Sequence, residues 1–108
     1  VHLIEPLDYL PFVLLMTRVE LILTDSGGIQ EEAPSIGKRV IVLRQVTERN
    51  EGLDTGLVRL TGTDRERIVA DVTTALDGRW PATQAGTDIY GDGKAAERIV
   101  LALAAARP

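Results

Sequence analysis

Leu21-Ile22-Leu23-Thr24-Asp25-Ser26-Gly27-Gly28-Ile29-Gln30-Glu31-Glu32-Ala33 decides how this chain folds. An apolar run short enough for a buried strand breaks at Asp25-Ser26-Gly27-Gly28 and resumes as a helix-like segment. Strand, glycine turn, helix is the arrangement that aims backbone N–H groups at an anion. Working outward, residues 40–43 are the clearest strand, a continuous apolar run suited to a parallel sheet covered on both faces. Residues 1–4 and 57–60 read as further short strands.

Helices fill the intervals. Asp8 is a candidate cap for a helix over residues 9–17, with Pro11 in its first turn, where a missing N–H costs little. Leu10, Val13 and Leu14 form its expected buried stripe. The helix after the glycine turn is predicted over residues 29–36. Pro34 should distort its last turn, and Gly37 should end it. Residues 51–55 can make one helical turn ended by Gly56. Thr63-x-x-Glu66 reads as a capping box opening a helix to Asp77. Residues 79–88 lack periodicity and are expected to cross the surface, with Trp80 over a seam. Tyr90-Gly91-Asp92-Gly93 is a turn. Asp92 is placed to cap a last helix over residues 94–105, whose stripe is Ala95, Ala96, Ile99, Val100 and Leu103. Alternating strands and helices predict an α/β fold, part of a Rossmann-like parallel sheet flanked by helices.

With 108 residues the chain supports one small domain. A net charge of −4 and no basic cluster argue against a nucleic-acid surface. There is no cysteine, which excludes disulfides and thiolate metal sites and fits a reducing, cytoplasmic compartment. No apolar run reaches membrane-span length, and the first residues, with no basic segment before an apolar one, do not read as a signal peptide. A strand at residue 1 leads us to expect a piece of a longer protein.

In an open parallel sheet, ligands bind beyond the carboxyl ends of the strands. Two loops meet that condition, residues 25–28 and 44–50. In the first, Gly27 and Gly28 leave room for a bulky anion, and Ser26 adds a hydroxyl. Glu32 lies one turn beyond Gly28 on the same helix face and leans back towards the anion. A carboxylate there is repelled by phosphate unless it accepts hydrogen bonds from adjacent hydroxyls, and a ribose diol supplies two. A plain tight turn and a glutamate complementing the helix dipole account for the same residues. In the second loop Arg44, Glu48, Arg49 and Glu51 crowd a strand end. An arginine there can hold phosphate oxygens, or the loop is simply solvated. Tyr9 and Phe12 can touch a base or sugar, or pack in the core. His2 is the sole histidine and has no partner residues to suggest a site.

The run from Leu23 to Pro34 resembles the bacterial, non-hydrolysing UDP-N-acetylglucosamine 2-epimerases. So do Glu5-Pro6-Leu7-Asp8-Tyr9, Thr47-Glu48-Arg49, Val58-Arg59-Leu60-x-Gly62-Thr63-Asp64 and Tyr90-Gly91-Asp92-Gly93, in the family's order. The resemblance implies a two-domain GT-B fold, of which residues 1–108 are the latter part of the C-terminal, UDP-binding domain. The N-terminal domain and first strands would be absent. It implies that Ser26, Gly27 and Gly28 bind the diphosphate, Glu32 the ribose, and that Phe12 lies near the uracil and Arg49 lines the cleft. It implies epimerisation at C2 through UDP elimination and re-addition, interconverting UDP-N-acetylglucosamine and UDP-N-acetylmannosamine for surface polysaccharides. No metal or cofactor is implied, and the full-length protein would be a homodimer. The family's proton-handling groups would lie outside this chain, leaving no catalytic residue in it and an inactive fragment. Asn50 for proline, Asp88-Ile89 for Asn-Pro, and Leu7 where some members have glutamine are departures. Two other readings are a GT-B glycosyltransferase and a non-catalytic nucleotide-sugar-binding module. In the strand order 3-2-1-4-5-6, residues 1–4 would be strand 3 with no neighbour, and the chain would be marginal alone or pair through its open sheet edge.

Overall fold

The computed structural model describes residues 1–81 and 89–106. Three short strands, β1 (Ile22–Thr24), β2 (Val40–Val42) and β3 (Val58–Leu60), form a parallel sheet in the order β1-β2-β3. Ile22 pairs with Val40, and Val40 with Val58. The α/β fold with helices flanking a parallel sheet is therefore the one predicted.

Side-chain alternation builds two layers of core on this sheet. Val40, Val42 and Val58 point to one face. There they meet Met16 of α1 (Tyr9–Arg18), Ala33 of α2 (Gly27–Ser35) and Leu53 of α3 (Asn50–Asp54). Ile41 points to the other face, against Ala75 and Val72 of α4 (Arg65–Leu76) and against Trp80. Central strand β2 is buried at all three residues, as a continuous apolar run requires.

The helix ends follow local chemistry. After α2, Gly37 at φ +76° lets its N–H reach the Pro34 carbonyl and the Lys38 N–H reach that of Ala33, a Schellman closure. Gly78 and Arg79 close α4 in the same way onto Ala75 and Thr74. The cap of α4 is Asp64, whose carboxylate accepts from the Arg67 N–H at 3.0 Å. The predicted Thr63 cap is thus one residue early, because Asp is the stronger N-cap and brings a charged acceptor to the positive end of the helix. Asp8 holds the cap position of α1 without a side-chain bond.

Four further expectations change. Residues 1–4 are exposed and form no strand, since a strand needs a neighbour for its ladder bonds and none is supplied here. In α1 the inward residues are Phe12, Val13 and Met16, while Leu10 and Leu14 are exposed. That helix is apolar almost all round, so period alone could not choose its face. Trp80 is buried rather than lying over a surface seam. Its indole donates to the Gly56 carbonyl at 2.7 Å, and the Arg59 guanidinium stacks 4.3 Å from its centroid. Finally, α5 (Ala95–Ala105) has no buried residue, its apolar stripe included. The radius of gyration is 16.8 Å, against about 13 Å for a compact chain of this size. Among the described residues, no helix is long and apolar enough to cross a membrane. The surface path predicted for residues 79–88 lies largely outside the described residues.

Candidate functional site

The carboxyl ends of β1 and β2 bring the two predicted loops together. The Leu43 N–H donates to the Thr24 carbonyl at 2.9 Å, fixing where the chain leaves both strands. Ser26 then caps α2, its hydroxyl accepting from the Ile29 N–H at 3.5 Å. The Thr24 hydroxyl accepts from the Ser26 N–H at 3.0 Å.

The helix starts at Gly27 rather than at the predicted Ile29. Gly27 and Gly28 are consequently its first two residues, and their N–H groups belong to the unsatisfied first turn. Neither N–H finds an acceptor among the described residues. Both lie beside the exposed Ser26, at the positive end of the helix dipole.

Arg49 closes the other side. Its Nε donates to the Glu31 carboxylate at 2.9 Å. Its guanidinium plane lies over Gly27, where an added methyl group would be 2.8 Å from Cζ and from Nη2. Nη1 and Nη2 have no protein acceptor among the described residues. The chain therefore presents two backbone donors, a hydroxyl and a two-pronged cationic fork to one point, a suitable cradle for phosphate oxygens.

Glu32 is half-buried, one turn beyond Gly28 on α2, and forms no ion pair among the described residues. Phe12 is half-buried against the Met16–Val42 core. It also lines an apolar groove of about 280 Å³ with Leu15, Leu21, Leu23, Thr24 and Ile29. That groove ends at the residues flanking the glycine turn, so Phe12 serves the core and borders the site. His2 is remote, in the exposed N-terminal segment. Arg44 and Glu48 are exposed and join no ion pair among the described residues.

Three residues lie in the quoted motifs but were given no role by sequence reasoning. Gln30 and Thr47 are buried, and the Thr47 hydroxyl donates to Gln30 Oε1 at 2.5 Å. Gln30 shares its helix face with Ala33 and Pro34, all buried. A polar residue in that apolar position was the available signal. The third, Tyr90, brings its hydroxyl to Gly52 of α3, where an added methyl group would be 3.2 Å away. Burial raises its phenol above the usual range, with help from the Glu51 and Glu31 carboxylates. A hydrogen bond with the Gly52 backbone and the Arg49 charge pull the other way. The Tyr90 turn thus packs beside the Arg49 loop.

A model of the UDP-N-acetylglucosamine 2-epimerase family matches residues 1–104. The chain is 55% identical over 105 residues to the UDP-N-acetylglucosamine 2-epimerase of Escherichia coli strain K12, covering 95% of this chain and 28% of that protein. Its fold is similar to that of an S. aureus protein solved with UDP. The TM-score is 0.85 at 43% identity, covering 98% of this chain and 31% of the other. It is also similar to the UDP-GlcNAc 2-epimerase of Neisseria meningitidis bound to UDP-GlcNAc. There the TM-score is 0.76 at 44% identity, covering 96% and 29%. The chain spans less than a third of the length of these relatives. Matched in sequence over nearly its whole length, and in fold at these identities, the chain belongs to the UDP-N-acetylglucosamine 2-epimerase family.

Proposed function

We propose that this chain is the UDP-binding wall of an enzyme that interconverts UDP-N-acetylglucosamine and UDP-N-acetylmannosamine. One observation carries the reading: the Arg49 fork lies over Gly27, beside the unpaired N–H groups of Gly27 and Gly28. In this reading the diphosphate rests on those N–H groups and the Ser26 hydroxyl, and Arg49 takes further phosphate oxygens. Glu32 accepts from the ribose hydroxyls, and Phe12 lies near the uracil. Relatives of similar fold have been solved with UDP and with UDP-GlcNAc, which supports the choice of nucleotide.

The chemistry needs such a wall. Loss of the C2 proton and cleavage of the bond from C1 to the diphosphate oxygen give a C1=C2 glycal and free UDP. Re-addition of UDP at C1, with protonation of C2 on the opposite face, gives the epimer. The diphosphate gains charge as it leaves and must stay in place until it re-adds. Preorganised N–H donors and a fixed arginine stabilise that charge without reorganising. The proton-handling groups are assigned to the part of the protein beyond this chain, so these 108 residues are expected not to epimerise alone. The full-length protein is proposed to be a cytoplasmic homodimer requiring no metal or cofactor, in line with the family resemblance.

Isothermal titration of the full-length protein with UDP tests the binding site. An assay for UDP-N-acetylmannosamine formation tests the reaction. Absence of binding heat sinks the nucleotide site. Sugar transfer to an acceptor in place of epimerisation would make the protein a glycosyltransferase.

A further inference from the structure

Arg49 is held at two points, and both anchors belong to consecutive residues of α2. Glu31 takes the side chain at Nε, 2.9 Å away. The backbone end is held through Thr47, whose hydroxyl accepts from the Arg49 N–H at 3.1 Å and donates to Gln30 Oε1 at 2.5 Å. A main-chain N–H can only donate, so Thr47 accepts from Arg49 and its one hydroxyl proton is free for Gln30 Oε1.

The Gln30 amide turns its oxygen towards Thr47. Its Nε2 is then buried and lacks a hydrogen-bond partner among the described residues. A buried amide donor left unpaired is unfavourable. On a helix face otherwise made of Ala33 and Pro34, an apolar side chain of the same length would fill the space without that cost. Packing does not explain a glutamine here, whereas its bond to Thr47 does. The two anchors also differ in strength. The Glu31 pair is partly open to water, with 32% of the arginine and 46% of the glutamate side chain exposed, and such pairs are screened. Gln30 and Thr47 are 1% and 8% exposed, where a hydrogen bond is strong and its geometry tightly set.

We propose that the buried Gln30–Thr47 pair positions Arg49, locking its loop to the same helix that offers the Gly27 and Gly28 N–H groups. Gln30 and Thr47 touch no ligand and are positioning residues. The inference rests on the reading of Arg49 as a diphosphate contact. By tying the fork and the N–H donors to one rigid element, the pair fixes the spacing between them, so the anion meets a preformed site.

Titration of the full-length protein with UDP, with the Thr47→Val, Thr47→Ser, Gln30→Met and Arg49→Ala variants, tests this. Thr47→Val keeps the shape and removes the hydroxyl. It is expected to weaken UDP binding about tenfold, within the range of couplings between contacting residues. Thr47→Ser restores binding to within about twofold of wild type, and Gln30→Met reproduces the loss. In an Arg49→Ala background, Thr47→Val costs less than about twofold, because the group through which it acts is gone. Should Thr47→Val not fold, Gln30→Met in the same two backgrounds decides the matter. Wild-type affinity in Thr47→Val, or a loss undiminished in the Arg49→Ala background, overturns the positioning role while leaving the UDP site standing. Absence of UDP binding by the wild type removes the site itself, and this role with it.

Discussion

The guanidinium of Arg49 lies against Gly27 so closely that a β-carbon there would sit 2.8 Å from its Cζ. Two residues far apart in sequence thereby form one surface. The glycine is a seat for the arginine as much as an opening for an anion. Gly28, its neighbour, has a different surrounding: a β-carbon there meets nothing nearer than the Ser26 hydroxyl at 3.9 Å.

This contrast separates two substitutions. Gly27→Ala should displace the Arg49 fork and weaken UDP binding by about tenfold, the order of one charge-assisted hydrogen bond. The fold should tolerate it, because the displaced group is the far end of a flexible side chain whose one ion pair, to Glu31, is partly exposed. Gly28→Ala meets no clash within the protein and should raise stability by up to about 0.5–1 kcal/mol through helix propensity. Its effect on UDP affinity then measures how closely the anion approaches the helix. Thermal melts and titration with UDP check both, and wild-type affinity in both variants would remove the α2 terminus as the anion seat.

Glu32→Ala should weaken UDP binding by about 1.5–3 kcal/mol, the value of hydrogen bonds to a charged acceptor. Binding of 2′-deoxy-UDP should fall by a smaller factor in the variant than in wild type, since one of the two hydroxyl donors is already missing. Unchanged affinity for UDP would leave Glu32 a helix-dipole partner only.

Trp80 joins the layers on the α4 face of the sheet. Trp80→Ala should destabilise the domain by about 3–5 kcal/mol. Trp80→Phe, which loses the bond to the Gly56 carbonyl, should cost about 1 kcal/mol. Urea unfolding followed by far-ultraviolet circular dichroism measures both. Equal, small losses would mean that the indole is not part of the core.

Asp92 gives a pH dependence. Its carboxylate is held below the usual range, first by Arg98, which donates at 2.6 and 2.8 Å, and then by the Lys94 N–H. A folded pKa below the unfolded one contributes stability above the unfolded value and loses it as pH falls through the folded value. The first turn of α5 is therefore expected to hold at neutral pH and to fray only below about pH 4. Amide exchange at Lys94 and Ala95 reports this. Asp92→Asn should flatten the profile, and a persisting acid transition would assign it to another group.

Sequence alone determined much of this protein. The apolar run at Val40 to Val42 had to be a strand buried on both faces, and its spacing from the flanking helices left a parallel sheet as the solution. Gly37 and Gly78 had to end helices, because only a residue free to take positive φ closes those carbonyls. The Ser26 cap and the free N–H groups near Gly27 and Gly28 were legible because capping and the first helical turn are local properties. What depends on contacts between distant segments was not legible. The inward face of α1 was ambiguous because nearly every position there is apolar. Residues 1–4 have strand composition, but a strand exists only with a partner. Trp80 became core once α4 and β3 closed around it. The hold on Arg49 arises only when the carboxyl ends of β1 and β2 lie side by side. No periodicity within α2 or within the residue 44–50 loop can indicate that Gln30 and Thr47 will share a proton.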